Sequence, residues 1–131
     1  MYINENNYAD EAEKVILHLK NKINPKTGKN IPMVTTSKIR NLLAMASDIY
    51  NEVVILQEDQ LSDELNGRIE YLRIRFVYEA GREQTVRDFV TDAKLVEILK
   101  EIKGSRKNYI LFSRYMESLV AFHKFYGGKD N

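Results

Sequence analysis

The stretch before the C-terminus is helical in pattern and apolar on nearly every side. Between Arg106 and Tyr126, one side carries Tyr109, Phe112, Met116, Leu119 and His123, and another carries Leu111, Tyr115, Phe122 and Tyr126. Such a helix is stable in water only when other helices, or another chain, cover most of its surface. The sequence therefore predicts a helix bundle in which this helix is central or is partly buried by a second chain.

Four earlier segments show the helical period of 3.6 residues, and none shows the alternation of a strand. We expect helices over about Tyr8–Lys22, from Thr35–Ser37 to about Leu56, from near Ser62 to about Gly81, and over about Thr85–Lys103. Together with the last helix they predict an all-α, five-helix bundle, with residues 1–131 as one domain. Residues 20–34 read as a variable basic loop or short hairpin, and residues 127–131 as a C-terminal tail.

Composition and motifs exclude most kinds of active site. The chain has no cysteine, and its two histidines lie on different predicted helices, with His18 expected at the surface and His123 in the core. A glycine-rich phosphate loop is missing, so we predict no catalytic residue, no metal and no cofactor, and hence a non-enzyme. The N-terminal residues contain no signal-peptide core and no apolar run spans a membrane, so the expected location is the cytoplasm, away from membranes.

The net charge of +1 hides a segregation of charge along the chain. Six basic residues and no acid lie between Lys20 and Arg40, whereas six acids and no base lie between Asn41 and Gly67. This pattern is typical of a protein that contacts a polyanion on one side and a basic neighbour on another. Chance clustering on a solvated surface is the alternative.

The third helix combines a core stripe with a stripe of arginine and tyrosine. The core stripe consists of Leu65, Ile69, Leu72 and Phe76, and the stripe beside it consists of Arg68, Tyr71, Arg75, Tyr78 and Arg82. Guanidinium groups next to aromatic rings suit phosphates and stacked bases. The alternative is a solvated face whose tyrosines pack over neighbouring side chains. For Tyr78, near the helix end, we expect a core position.

Three strings of residues resemble one known family in the same order. They are T-T-S-K-I-R-N-L-L at 35–43, Y-L-R-I-R-F-V-Y-E-A-G-R at 71–82, and R-Y-M-E-S-L-V-A-F-H-K-F-Y-G-G-K-D at 114–130. They closely resemble the small α-helical subunit of type III-A CRISPR–Cas effector complexes, the Csm complex. The resemblance runs from about residue 35 to the end, and the loop at 20–34 is outside it.

The resemblance implies a five-helix subunit without a nuclease. It further implies that several copies stack beside the backbone subunits that hold the guide RNA, and that they line the channel occupied by target RNA. Target cleavage then belongs to the backbone subunits, and cyclic oligoadenylate synthesis and DNA cleavage belong to the large subunit. The expected partners are guide and target RNA, the other subunits and further copies of the chain.

The predicted RNA-binding residues are Lys38, Arg40, Arg68, Arg73, Arg75 and Arg82, facing phosphates without acidic partners. Arg68, Arg75 and Arg82 recur every seven residues, whereas Arg73 lies further round the helix and is expected to meet a neighbouring subunit or another part of the channel. At the start of the second helix, we expect a phosphate contacted by Thr36, Ser37, Lys38 or Arg40.

Two other functions fit parts of the sequence. One is a pure interaction subunit whose basic stretches meet acidic protein neighbours. The other is an unrelated helical DNA-binding domain, although its second helix carries acids after Arg40. The exposed apolar surface expected on the last helix, at Phe125 in particular, predicts a contact with another subunit.

Overall fold

The computed structural model describes residues 1–130, which contain six α-helices and two isolated β-bridges. The bridges join Ile23 to Asn30 and Gln60 to Ser105. The helices are α1 (Tyr8–Lys20), α2 (Thr36–Val53), α3 (Asp63–Arg82), α4 (Gln84–Asp92), α5 (Leu95–Glu101) and α6 (Arg106–Phe125). The all-α prediction is confirmed over these residues.

Hydroxyl side chains fix the starts of the three long helices. Thr35, Ser62 and Ser105 are the N-caps of α2, α3 and α6, and each accepts a hydrogen bond from the backbone amide three residues later. This contact satisfies one of the amides that a helix start leaves free. The sequence signals at these three positions therefore set the helix boundaries that the structure shows.

Helix α6 lies at the centre of the bundle and packs against α1, α2 and α5. Tyr109, Phe112, Tyr115, Met116 and Leu119 on α6 are fully buried. The Tyr109 hydroxyl donates to the Ala46 carbonyl of α2 at 2.6 Å, so this ring also forms a polar link across the core. The prediction of a central last helix is confirmed.

The prediction of five helices is wrong, because the fourth divides into α4 and α5. Lys94 takes a left-handed backbone conformation with φ of 57°, and the helix stops there. In one continuous helix the apolar residues of the two halves would face opposite sides. The break turns both sets inwards and buries Val86, Phe89 and Val90 together with Leu95, Ile98 and Leu99.

The loop after α1 and the C-terminal residues both fold back on the bundle. Asn24 and Lys29 are joined by a backbone hydrogen bond beside the Ile23–Asn30 bridge, which confirms a short hairpin in the 20–34 loop. After α6, the Thr36 amide donates to the Lys129 carbonyl at 2.7 Å. Residues 127–130 of the predicted tail therefore cover the start of α2, and residue 131 lies outside the described residues.

The two histidines occupy the expected positions. His123 is fully buried, and its Nε2 lies 2.7 Å from the Val34 carbonyl oxygen. His18 is exposed and pairs with Asp92 at 2.8 Å. Within residues 1–130, no helix has the length and apolar character needed to cross a membrane.

Candidate nucleic-acid interface

A groove between α2 and α3 contains the predicted arginine row. The start of α2 faces the end of α3, so the two helices run antiparallel. Two hollows of about 370 and 330 Å³ follow one another along the groove. The first is lined by Ser37, Lys38, Asn41, Leu42, Glu79, Arg82 and Val86, and the second by Met45, Asp48, Ile49, Arg68, Tyr71, Leu72 and Arg75. We call this surface the α2–α3 groove.

The buried stripe of α3 sets which residues line the groove. Leu65, Ile69, Leu72 and Phe76 are at most 7% exposed, as the sequence predicts. With that face fixed in the core, the adjacent stripe must emerge at the rim. Arg68, Arg75 and Arg82 consequently lie at successive positions along one groove, which confirms their predicted alignment on the helix.

The expectation that these basic residues lack acidic partners is wrong. Arg68 pairs with Glu52, Arg75 and Arg82 with Glu79 at 3.5 and 3.4 Å, and Lys38 with Glu83. The antiparallel arrangement explains the first pair, because it places the acidic second half of α2 opposite the start of α3. The hydrogen bond with Glu52 raises the pKa of Arg68. Exposed pairs such as those with Glu52 and Glu83 contribute roughly 0–1 kcal/mol to stability, so another anion can replace these carboxylates at low cost.

Tyr78 lies at the surface, where two guanidinium groups flank its ring. The guanidinium carbons of Arg75 and Arg82 are each 5.5 Å from the ring centroid. The side chain is 54% exposed, so its predicted core position is wrong. Tyr78 belongs to the arginine stripe and turns away from Leu72 and Phe76. Here the tyrosine does pack over neighbouring side chains, as one sequence-based alternative proposed.

Arg40 and Arg73 lie away from the other predicted residues. Arg40 is exposed on α2 and lines neither hollow of the groove. Arg73 lies on the opposite flank of α3 and donates to Glu70 at 2.8 Å. Glu70 in turn lines a separate hollow between α3 and α5. The structure thus brings together Lys38, Arg68, Arg75 and Arg82, but not Arg40 or Arg73.

The start of α2 is partly occupied by the chain itself. The Thr36 amide binds the Lys129 carbonyl, and the Lys38 amide binds the Thr35 hydroxyl. Thr36 is 5% exposed, and its hydroxyl lies 3.5 Å from His123 Nδ1. Thr36 is therefore buried, which leaves Ser37, Lys38 or Arg40 to contact a phosphate at this helix start, and that contact stays a prediction. Ser37 and Lys38 are exposed at the end of the groove.

The carboxylates of the groove were missed by the sequence interpretation. Glu79 stands four residues after Arg75 and three before Arg82, which is the spacing of a helical ion pair, so the sequence did contain a signal for it. Glu52 and Glu83 are distant in sequence from Arg68 and Lys38, and only the packing of α2 against α3 brings these pairs together. No sequence spacing reveals those two contacts.

The charged side chains of this surface form ion pairs, in which Lys38, Arg68, Arg75 and Arg82 are the cations. Arginine and lysine titrate far above neutral pH, so they hold charge without exchanging protons near pH 7. Within residues 1–130, no group of three His, Asp or Glu side chains is arranged to hold a metal ion. A row of fixed cations suits the phosphates of a nucleic acid backbone.

Comparison with known proteins gives a consistent family assignment. Residues 9–129 match the family model described as Csm2 Type III-A. The chain is similar to the CRISPR system Cms protein Csm2 of Streptococcus thermophilus, with 44% identity over 128 residues and 98% of each chain covered. It is also similar to the protein of that name in Mycobacterium tuberculosis strain CDC 1551 / Oshkosh, with 38% identity over 130 residues and 99% of each chain covered.

A shorter match has the same name. The Csm2 protein of Enterococcus italicus is 38% identical over 96 residues, which cover 71% of this chain and 68% of that protein. The match to the family model, over residues 9–129, includes both helices of the groove and Lys129, which binds the start of α2. The chain therefore belongs to the type III-A Csm2 family, the small α-helical subunits of Csm effector complexes.

Proposed function

We propose that this chain is the non-catalytic small subunit of an RNA-guided interference complex in cytoplasmic antiviral defence. Several copies stack along the backbone subunits, and the α2–α3 groove of each copy lines the channel for guide and target RNA. Membership of the family supports the place in a complex. The observation that carries the RNA contact is the row formed by Arg68, Arg75 and Arg82 along one groove.

A channel protein of this kind needs to recognise the RNA backbone rather than its sequence. Base pairing with the guide already supplies sequence specificity, so the protein contacts phosphates and shape. Guanidinium groups bind phosphate oxygens through paired hydrogen bonds. Replacing a glutamate carboxylate by a phosphate keeps each arginine paired, and the displaced carboxylate must then be solvated by water.

The basic residues take different parts in this proposal. Arg68, Arg75 and Arg82 contact successive phosphates, and Lys38 contacts a phosphate at the end of the groove near Ser37. Arg40 and Arg73 lie off the groove, so we assign them to a neighbouring subunit or to another part of the channel.

The intramolecular ion pairs favour a second candidate, a pure interaction subunit that never touches RNA. In that case Glu52 and Glu79 hold the arginines permanently, and the row only shapes the protein surface. Both candidates predict assembly with the other subunits. They differ in whether the arginines affect retention of target RNA.

Replacing Arg68, Arg75 and Arg82 together by alanine tests the proposal in the assembled complex. We expect weaker retention of target RNA and a shallower dependence of its affinity on salt. Each lost phosphate contact reduces the log–log slope by about 0.7–0.9. The measurement is a series of binding isotherms at increasing salt.

The matched control replaces Lys14, Lys100 and Arg114, three exposed basic residues outside the groove, by alanine. This variant loses the same charge and is expected to keep the slope. An unchanged slope in the Arg68, Arg75 and Arg82 variant, with assembly intact, would favour the pure interaction subunit.

A further inference from the structure

The end of α3 contains a compact cluster of two arginines, one tyrosine and one glutamate. The Arg75 Nη2 atom and the Arg82 Nη1 atom lie 3.5 and 3.4 Å from the same Oε1 atom of Glu79. Between them the Tyr78 ring is 5.5 Å from each guanidinium carbon. We call Arg75, Tyr78, Glu79 and Arg82 the arginine fork.

Glu79 is more enclosed than the arginines it holds. Its side chain is 17% exposed, compared with 40% for Arg75 and 60% for Arg82. It lines the hollow of about 370 Å³ that also contains Lys38 and Arg82. The carboxylate thus sits at the inner side of the fork, and the two guanidinium groups extend from it towards solvent.

We propose that Glu79 restrains the arginine fork, positioning both guanidinium groups and opposing the binding of a phosphate to them in the free chain. An RNA phosphate at the fork must compete with a carboxylate that is covalently part of the same helix. The Tyr78 ring limits where the guanidinium groups move when that competition succeeds. This inference rests on the proposed function, and it concerns the strength of the contact rather than its existence.

The physical consequence is that one copy binds RNA weakly and an assembled row binds it well. A single fork gains little when a phosphate replaces Glu79, because one ion pair is exchanged for another. Each copy stacked along one RNA contributes a small favourable free energy of binding. These contributions combine because, once one copy has bound the RNA, the contacts of the other copies form within the same complex. Glu79 therefore weakens the binding of unrelated RNA by chains that are not assembled into a complex.

Glu79→Gln in the free, full-length chain tests the inference directly. The probe is a fluorescein-labelled single-stranded oligouridylate, and its anisotropy is followed at several salt concentrations. Glutamine keeps the size of the side chain but removes the charge, so we expect the affinity to rise about two- to fivefold at low salt. The log–log salt slope is compared with that of the wild type, because each phosphate contact with a single strand contributes about 0.7 to it.

Two further variants separate this effect from a general change in charge. Glu97→Gln removes one exposed carboxylate on α5 and is expected to leave the affinity near that of the wild type. Adding Arg75→Ala and Arg82→Ala to Glu79→Gln should abolish the gain. Circular dichroism checks that the Glu79→Gln chain is folded, and a gain of binding by the folded chain then distinguishes restraint from a structural role.

The exposed Tyr78 provides a second test if Glu79→Gln lowers the unfolding midpoint. Tyr78→Leu keeps the apolar bulk but removes the ring face, and it should weaken target retention by the assembled complex about threefold. The inference is overturned if folded Glu79→Gln binds no better than the wild type, if Glu97→Gln gains equally, or if Tyr78→Leu retains target fully. In each of these cases the proposed function is still supported if the complex loses target retention when Arg68, Arg75 and Arg82 are replaced by alanine.

Discussion

At the scale of single residues, Gly128 packs closely against the imidazole ring of His123. A Cβ atom built on Gly128 would lie 2.1 Å from Cε1 of the imidazole ring. The ring cannot turn aside easily, because it is buried and its Nε2 lies 2.7 Å from the Val34 carbonyl oxygen. The sequence identified Gly127 and Gly128 only as the end of a helix. Their second role depends on Lys129 reaching Thr36, a contact between distant parts of the chain.

Gly128→Ala is expected to destabilise the protein by about 1–3 kcal/mol, because the added methyl group overfills a packed site. Urea unfolding followed by circular dichroism measures the change. The control is Gly67→Ala, a helical position with no atom within 4 Å of the added Cβ. Alanine there should stabilise the chain by about 0.5–1 kcal/mol through helix propensity. Equal stability of Gly128→Ala and the wild type would show that the C-terminal residues do not lie on His123.

At the scale of helices, the spacing of the apolar residues already contained a signal for the break between α4 and α5. Val86, Phe89 and Val90 repeat on one face, whereas Leu95, Ile98 and Leu99 repeat on the opposite face. A helix that must bury both sets has to change direction between them. No glycine or proline marks the position of the turn, so the break itself is a consequence of packing. The Tyr115 hydroxyl stabilises it by donating to the Ala93 carbonyl at 2.9 Å.

Tyr115→Phe is expected to loosen α5 selectively. Removing the hydroxyl leaves the carbonyl of the fully buried Ala93 without that partner, at a cost of about 1–3 kcal/mol. Hydrogen exchange of the α5 amides should speed up more than that of the α1 amides. Tyr71→Phe, at an exposed position, provides the control. Unchanged exchange in α5 would mean that packing alone holds the break.

At the scale of the whole molecule, the bundle buries most of α6 but leaves several large apolar side chains in solvent. Phe125 at the end of α6 is 77% exposed, as the sequence predicted. Ile74 and Val77 on the outer side of α3 are also more than half exposed, and the sequence interpretation did not anticipate them. The core stripe of α3 could be predicted because burial follows helical period. Exposure of an apolar residue was harder to foresee, since it depends on which faces the other helices leave uncovered.

Phe125→Asp is expected to preserve folding but release the subunit from the assembled complex, because it places a charge on an apolar contact. Co-purification with the other subunits measures the release, and thermal unfolding checks the fold. Ile55→Asp is the matched control, because Ile55 is also 77% exposed but lies after α2. Normal assembly of Phe125→Asp would place the contact elsewhere, and unfolding would show that Phe125 supports the core.

The central claim is that the α2–α3 groove faces RNA, and a reconstruction of the assembled complex with target bound tests it most directly. The quantity to measure is the distance from the guanidinium nitrogens of Arg68, Arg75 and Arg82 to the nearest phosphate oxygens. The account predicts charge-assisted hydrogen bonds of about 2.7–2.9 Å, with Glu52 and Glu79 displaced from the arginines. A groove filled by a protein neighbour, with the arginines still paired to Glu52 and Glu79, would contradict it.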